Sequence, residues 1–214
     1  MTRHLVYGAV TIAAAAWVTA CGDGFDNEVR VTGAIQSAQI SSVERIDRLS
    51  LNVITATDLD SVDLPLDTLS ATVALPSGAL TLEVIGERQE ADGTFTPVYF
   101  GDVAVFIAPG ATADIVIPAF PAGALDVTVL LNPEDQPDQA VVSFTTLTPR
   151  PDQNDTYIAT FDGERIRRIL PSGTYTFLGQ ASFDGGREFE AVGDPSEPLF
   201  INQGEIISET LDLR

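Results

Sequence analysis

Apolar and polar residues alternate along most of this chain. Leu49, Leu51 and Val53 are interleaved with Ser50 and Asn52. Leu69, Ala71 and Val73 resume the pattern, and Leu80, Leu82 and Val84 face away from Thr81 and Glu83. A period of two places one set of side chains in a core and the other in solvent, so these runs predict half-buried β-strands. Residues 98–106 predict a further strand or strands, broken at Gly101-Asp102, and residues 113–117 another. Turn signals separate the runs: Leu75-Pro76-Ser77-Gly78, Asp92-Gly93 and Pro109-Gly110. Proline presets φ before a bend, and glycine accepts the positive φ after it. Residues 57–68 read as a polar loop. Ser41-Ser42-Val43-Glu44 fits either a capping box for one helical turn or a loop. No run sustains a period near 3.6, so a helical core is excluded.

The second half repeats the first. Leu170-Pro171-Ser172-Gly173 matches Leu75-Pro76-Ser77-Gly78 at an offset of 95 residues. Gly193-Asp194 echoes Gly101-Asp102, and Gln203-Gly204 echoes Pro109-Gly110. Echoes in the same order imply an internal duplication. Pro118-Ala119-Phe120-Pro121-Ala122-Gly123 lies between the halves and reads as a linker. Short strands with turns every 8–12 residues or so predict an all-β chain of two tandem β-sandwiches, each of about seven strands.

The start of the chain has a different pattern. Arg3 and His4 precede an uncharged apolar run over residues 5–18. Spanning a bilayer takes about 18–20 apolar residues, so this run is too short and fits a signal-peptide core. Small residues lead into Cys21, the only cysteine. Removal of residues 1–20 would take with it the only histidine (His4), the only tryptophan (Trp17) and the only methionine (Met1). All eleven basic residues are arginine, so there is no lysine. The remaining chain then has no Ser-His-Asp or Cys-His catalysis, no His/Cys zinc site, no lysine Schiff base and no disulfide. The net charge is −20, and Arg3 is the only charge in residues 1–20, which leaves −21 on the rest. Such a chain repels nucleic acid and anionic lipid. Hydrophobic residues make up 44% of the full sequence, and their alternation argues against disorder.

Val18-Thr19-Ala20-Cys21 resembles the bacterial lipoprotein box, in which the cysteine is acylated and becomes the new N-terminus. The resemblance implies lipid on Cys21. Gly22 follows the cysteine, and the family's sorting rule for enteric bacteria then implies the outer membrane. Residues 22–27 read as a polar tether. In the second half, Val127-Thr128-Val129-Leu130-Leu131, Asp162-Gly163 and Pro171-Ser172-Gly173-Thr174-Tyr175 resemble a carboxypeptidase-regulatory-like (CnaB-like) sandwich of the transthyretin, or prealbumin, type. The first half, with its Leu-Pro-x-Gly turn, Asp-Gly hairpin and Pro-Gly turn, resembles the Ig-like repeats of envelope lipoproteins. The expected division is a signal peptide over 1–20, a lipidated tether over 21–27, an Ig-like sandwich over 28–119 and a CnaB-like sandwich over 120–214. The isopeptide bond of many CnaB domains needs a lysine, and this chain has none.

Three groups of residues are candidates for binding. Asp58, Asp60 and Asp63, with Asp67 beyond, suit calcium by charge, but Val62 and a non-glycine Asp63 break the EF-hand spacing. Solvated loop aspartates are the plainer reading. Glu134, Asp135, Asp138, Asp152 and Asp155 lie in similar acidic loops. Arg165, Arg167 and Arg168 form the only basic cluster, suited to a carboxylate or phosphate. The plainer role is charge on an exposed strand, which discourages edge pairing. Tyr99, Tyr157, Tyr175 and the phenylalanines suggest a sugar platform only if they leave the core. No catalytic residue, metal or cofactor is expected. The expected function is a non-enzymatic, lipid-anchored cell-envelope protein, on the periplasmic face of the outer membrane or at the cell surface, acting as a structural spacer or protein-interaction module. Its partners would be the membrane, through Cys21, and another envelope protein. The alternative is a calcium- or glycan-binding accessory lipoprotein.

Overall fold

The computed structural model describes residues 27–35, 45–130, 139–149, 154–160, 165–183, 187–192 and 198–212. All regular structure among them is β, and the chain divides into two compact units at Pro121/Ala122.

The first unit contains β1 (Asn27–Ile35), β2 (Arg48–Ile54), β3 (Leu59–Asp63), β4 (Ser70–Leu75), β5 (Gly78–Gln89), β6 (Phe95–Ile107) and the first part of β7 (Asp114–Leu130). One layer is the antiparallel run β3-β2-β5-β6. The other has β1 at its centre, antiparallel to β4 and parallel to β7. The layers meet where Tyr99 and Phe100 pair with Pro121 and Phe120. The predicted alternation fills the space between them: Leu49, Leu51, Val53, Leu80, Leu82 and Val84 are buried, with Leu75, Ile107 and Ile117. Burying each such side chain contributes about 1.5–3 kcal/mol. The Asp92-Gly93 hairpin forms as expected. Gly93 takes φ +87°, and its N–H donates to the Glu90 carbonyl at 3.0 Å.

Three local expectations are corrected. The strand does not break at Gly101-Asp102, which lies within β6. The polar loop over 57–68 contains the exposed edge strand β3; Thr55 Oγ1 accepts from the N–H groups of Thr57 and Asp58 and tightens the turn before it. The presumed linker is strand: Pro118 to Gly123 lies inside β7, with Ala119, Phe120 and Ala122 buried. Proline removes a ladder donor, and here both prolines sit where β7 changes partner. The ladder to β1 ends at Ala119, and that to β10 begins at Ala122.

The second unit contains the rest of β7, then β8 (Gln139–Thr146), β9 (Thr156–Thr160), β10 (Arg165–Pro171), β11 (Gly173–Phe183), β12 (Arg187–Val192), β13 (Leu199–Ile201) and β14 (Ile206–Asp212). One layer is the run β12-β11-β8-β9, with β13 also on β11. In the other, β7 lies between antiparallel β10 and parallel β14. Leu125, Val127, Val142, Phe144, Tyr157, Ile166, Leu170, Tyr175 and Ile201 are buried.

The two units share one plan. In each, the first strand lies between the strand before the Leu-Pro-Ser-Gly turn, antiparallel, and the last strand, parallel. The turn then carries the chain into a long strand of the other layer, β5 or β11. Gly78 pairs with Ile107, and Gly173 with Ile201. Each isoleucine is followed by the same turn. The Ala111 N–H donates to the Ala108 carbonyl and the Glu205 N–H to the Asn202 carbonyl, with Gly110 and Gly204 at φ +73° and +69°. These are the glycines of the two echoed turns, in a conformation that only glycine adopts without strain.

Candidate functional site

Cys21 lies outside the described residues, as do Glu134, Asp135, Asp138 and Asp152. Asp155 is exposed at the entry to β9.

The arginine cluster resolves into two faces of β10. Alternation turns Ile166, Arg168 and Leu170 one way and Arg165 and Arg167 the other. Arg167 pairs across the ladder with Asp126 of β7, and Arg165 pairs one step along with Thr128. Asp126 is only 2% exposed. Its Oδ1 accepts from Arg167 Nε at 2.7 Å, and its Oδ2 from Arg167 Nη2 at 3.0 Å, a bidentate grip; Arg165 also donates to Oδ2. Both arginines stay more than half exposed, at 60% and 53%. Their apolar stems cover the carboxylate while their heads remain hydrated. The Arg167 hydrogen bonds hold the Asp126 carboxyl below its ordinary range, against the burial that pushes it up, and Asp126 raises Arg167 in turn. Arg165 and Arg167 therefore answer an internal carboxylate. Arg168 places its guanidinium 5.8 Å from the centre of the Tyr157 ring.

Asp126 escapes a reading based on clusters, because it stands alone in an apolar run. That isolation is itself a signal: a carboxylate among the buried residues of a strand needs cationic partners, and this chain has one cluster of them.

The aspartates of the β3 region do not converge. Asp58 Oδ1 accepts from the Leu59 N–H at 2.9 Å within its own turn. Asp60 and Asp63 are three residues apart on a strand, so they occupy opposite faces. Among the described residues, no group of three or more His, Cys, Asp or Glu side chains is placed to hold a metal ion.

The tyrosines are core residues. Tyr99, Tyr157 and Tyr175 are 0%, 2% and 0% exposed. Tyr175 meets Tyr157 edge-on at 6.5 Å, and its hydroxyl donates to the Pro171 carbonyl at 2.6 Å, closing the turn four residues upstream. Removing that donor deletes a buried hydrogen bond. Tyr175→Phe is expected to lower stability by about 1–2 kcal/mol, measured by urea denaturation; an unchanged midpoint would show that the bond contributes nothing. The aromatics at the surface are instead Phe106 and Phe200, at 73% and 59% exposed. The ladders make them equivalent, opposite Ala79 and Thr174, each directly after the glycine of the repeated turn.

No protein-family model matches the chain, and no curated protein matches it in sequence. Solved structures do show similarity. The Bacillus anthracis TIE protein is 14% identical, with 89% of this chain and 34% of that one covered and a TM-score of 0.31. A candidate cell adhesion protein from Bacteroides ovatus is 8% identical, with 87% and 92% covered and a TM-score of 0.33. A streptococcal ancillary pilin is 14% identical, with 90% and 64% covered and a TM-score of 0.28. This chain spans about a third of the length of the TIE protein.

Proposed function

We propose that this chain is a non-enzymatic cell-envelope protein, anchored by lipid on Cys21, whose Ig-like and CnaB-like sandwiches act as a spacer or protein-interaction module. The observation that carries this reading is the repetition of one strand plan in two successive units. Repetition adds reach and display surface, and it assembles no new chemistry. The outward-facing pair of the basic cluster is already committed to Asp126. The membrane contact is the lipid, with each buried methylene contributing about 0.8 kcal/mol, so that several chains on one cysteine hold firmly. The outer membrane is the expected location, and a second envelope protein the expected partner.

Fractionation of cells expressing the full chain tests this. Wild type should sediment with membranes, leave them only in detergent, and bring a stoichiometric protein partner through a mild-detergent pull-down. Cys21→Ala should shift the protein away from the detergent-extracted fraction. Wild type found in the soluble fraction, or a Cys21→Ala chain extracted like wild type, would overturn the anchor.

A further inference from the structure

The repeat provides an internal comparison of equivalent edges. In the first unit β3 is the outer strand beside β2; in the second β9 is the outer strand beside β8. Ser61 pairs with Asn52, which pairs with Glu83, which pairs with Asp102. The equivalent row in the second unit is Ile158, Ser143, Leu178 and Val192. Two carboxylates have become two aliphatic residues. The edge strands differ in the same way. Leu59-Asp60-Ser61-Val62-Asp63 carries two aspartates, whereas Thr156-Tyr157-Ile158-Ala159-Thr160 carries no charge. Among the described residues, no strand covers the outer edge of β9.

An open edge is a template for pairing, and folded proteins blunt such edges with charge. β3 has that protection and β9 lacks it. Of the other outer strands, β10 carries three arginines, β12 has Arg187, Glu188 and Glu190, and β14 has Glu209 and Asp212; β13 is uncharged and exposes Phe200, but its three residues make it too short a template beside the five of β9. The uncharged β4 exposes nothing larger than Thr72 and Ala74. Ile158, by contrast, is 62% exposed.

We propose that β9 is a self-association edge: two copies of this chain pair antiparallel through β9, joining their sheets across a two-fold axis at Ile158. A two-fold contact sets a surface against itself. Charge of one sign there would repel its own copy, and in a chain of net charge −20 most of the surface would do so. β9 is free of charge. Its sequence is also symmetric about the axis, with Thr156 and Thr160 two residues to either side of Ile158. Antiparallel pairing centred on Ile158 sets it against Ile158 of the second copy and sets Thr156 against Thr160. A basic partner would be drawn to the acidic surface elsewhere, which is why a second copy is the occupant that an uncharged edge fits.

The test uses the full chain in mild detergent. Sedimentation equilibrium should show a dimer, strengthened by salt as the remaining repulsion is screened. Ile158→Asp should weaken self-association at least about tenfold, since it sets like charges directly opposite one another, while at concentrations too low for the dimer the variant still unfolds in a single cooperative transition like wild type. Ile158→Cys should form a reducible disulfide dimer under mild oxidation, whereas Ser61→Cys on the equivalent edge, and wild type with Cys21 alone, should not. A wild type that stays monomeric at every concentration would overturn the proposal. So would a dimer untouched by Ile158→Asp, or equal cross-linking through Ser61→Cys.

Discussion

Gly101→Ala is expected to destabilise the first unit by at least about 3 kcal/mol, at the upper end of what overpacking costs. The reason is the backbone opposite. A Cβ at Gly101 would lie 2.0 Å from the Pro118 carbonyl oxygen, 2.8 Å from its carbon and 2.9 Å from Ala119 Cα. None of these atoms is the end of a flexible side chain that could swing away. β6 and β7 would have to part by an ångström or more, at the place where Tyr99 and Phe100 join the two layers. Ile117 and Ala119, both fully buried, would move with them. Gly93→Ala is the matched comparison. A Cβ there meets nothing within 4 Å, so only the positive φ is strained, which costs about 1–2 kcal/mol. Urea denaturation of the two variants separates the effects. A Gly101→Ala protein within about 1 kcal/mol of wild type would mean that the two strands are not held this close.

The second large effect is expected when the grip on Asp126 is removed. The double variant Arg165→Ala/Arg167→Ala leaves a carboxylate that is 2% exposed without its cations. Breaking a buried pair from one side costs about 3–5 kcal/mol; the lower end applies here, because both arginine heads are more than half in water. The pH dependence carries the sign. In wild type the Asp126 carboxyl is lowered, first by the Arg167 hydrogen bonds. Its contribution is therefore present above the ordinary unfolded value of about 3.9 and is lost as pH falls through the lower folded value. Without the arginines only burial acts, and burial raises the carboxyl. A raised group contributes stability below the unfolded value and loses it as pH rises through the folded one. The gap between the two proteins should be widest near neutrality and narrow on acidification. A gap that does not change with pH would show that the loss comes from packing of the arginine stems and not from the pair.

Much of the fold was legible because the alternation is strict. Leu80, Leu82 and Val84 could take only one face together, and the Leu-Pro-Ser-Gly turns fixed where each unit crosses between layers. Two of the three errors came from glycine and proline; the third, strand β3, was hidden because both its faces are exposed. Gly101 was read as an interruption, but its missing side chain permits a close approach within a continuous strand. Pro118 and Pro121 were read as a linker; they lie within β7, opposite Ala34 and Tyr99, beside the point where that strand changes partner. The basic cluster was legible as a cluster and not as half of a pair, since its carboxylate lies 39 and 41 residues away from Arg165 and Arg167. The contrast between β3 and β9 needed the ladders, which alone establish that Ser61 and Ile158 are equivalent positions.

The envelope function proposed above rests on lipid at Cys21 holding two sandwiches to a membrane. Intact mass of the protein extracted from its own membranes tests it most directly. The predicted mass is that of a chain beginning at Cys21, without residues 1–20, plus the acyl groups on that cysteine. A chain that retains residues 1–20 with Cys21 unmodified would contradict the anchor and the envelope function built on it.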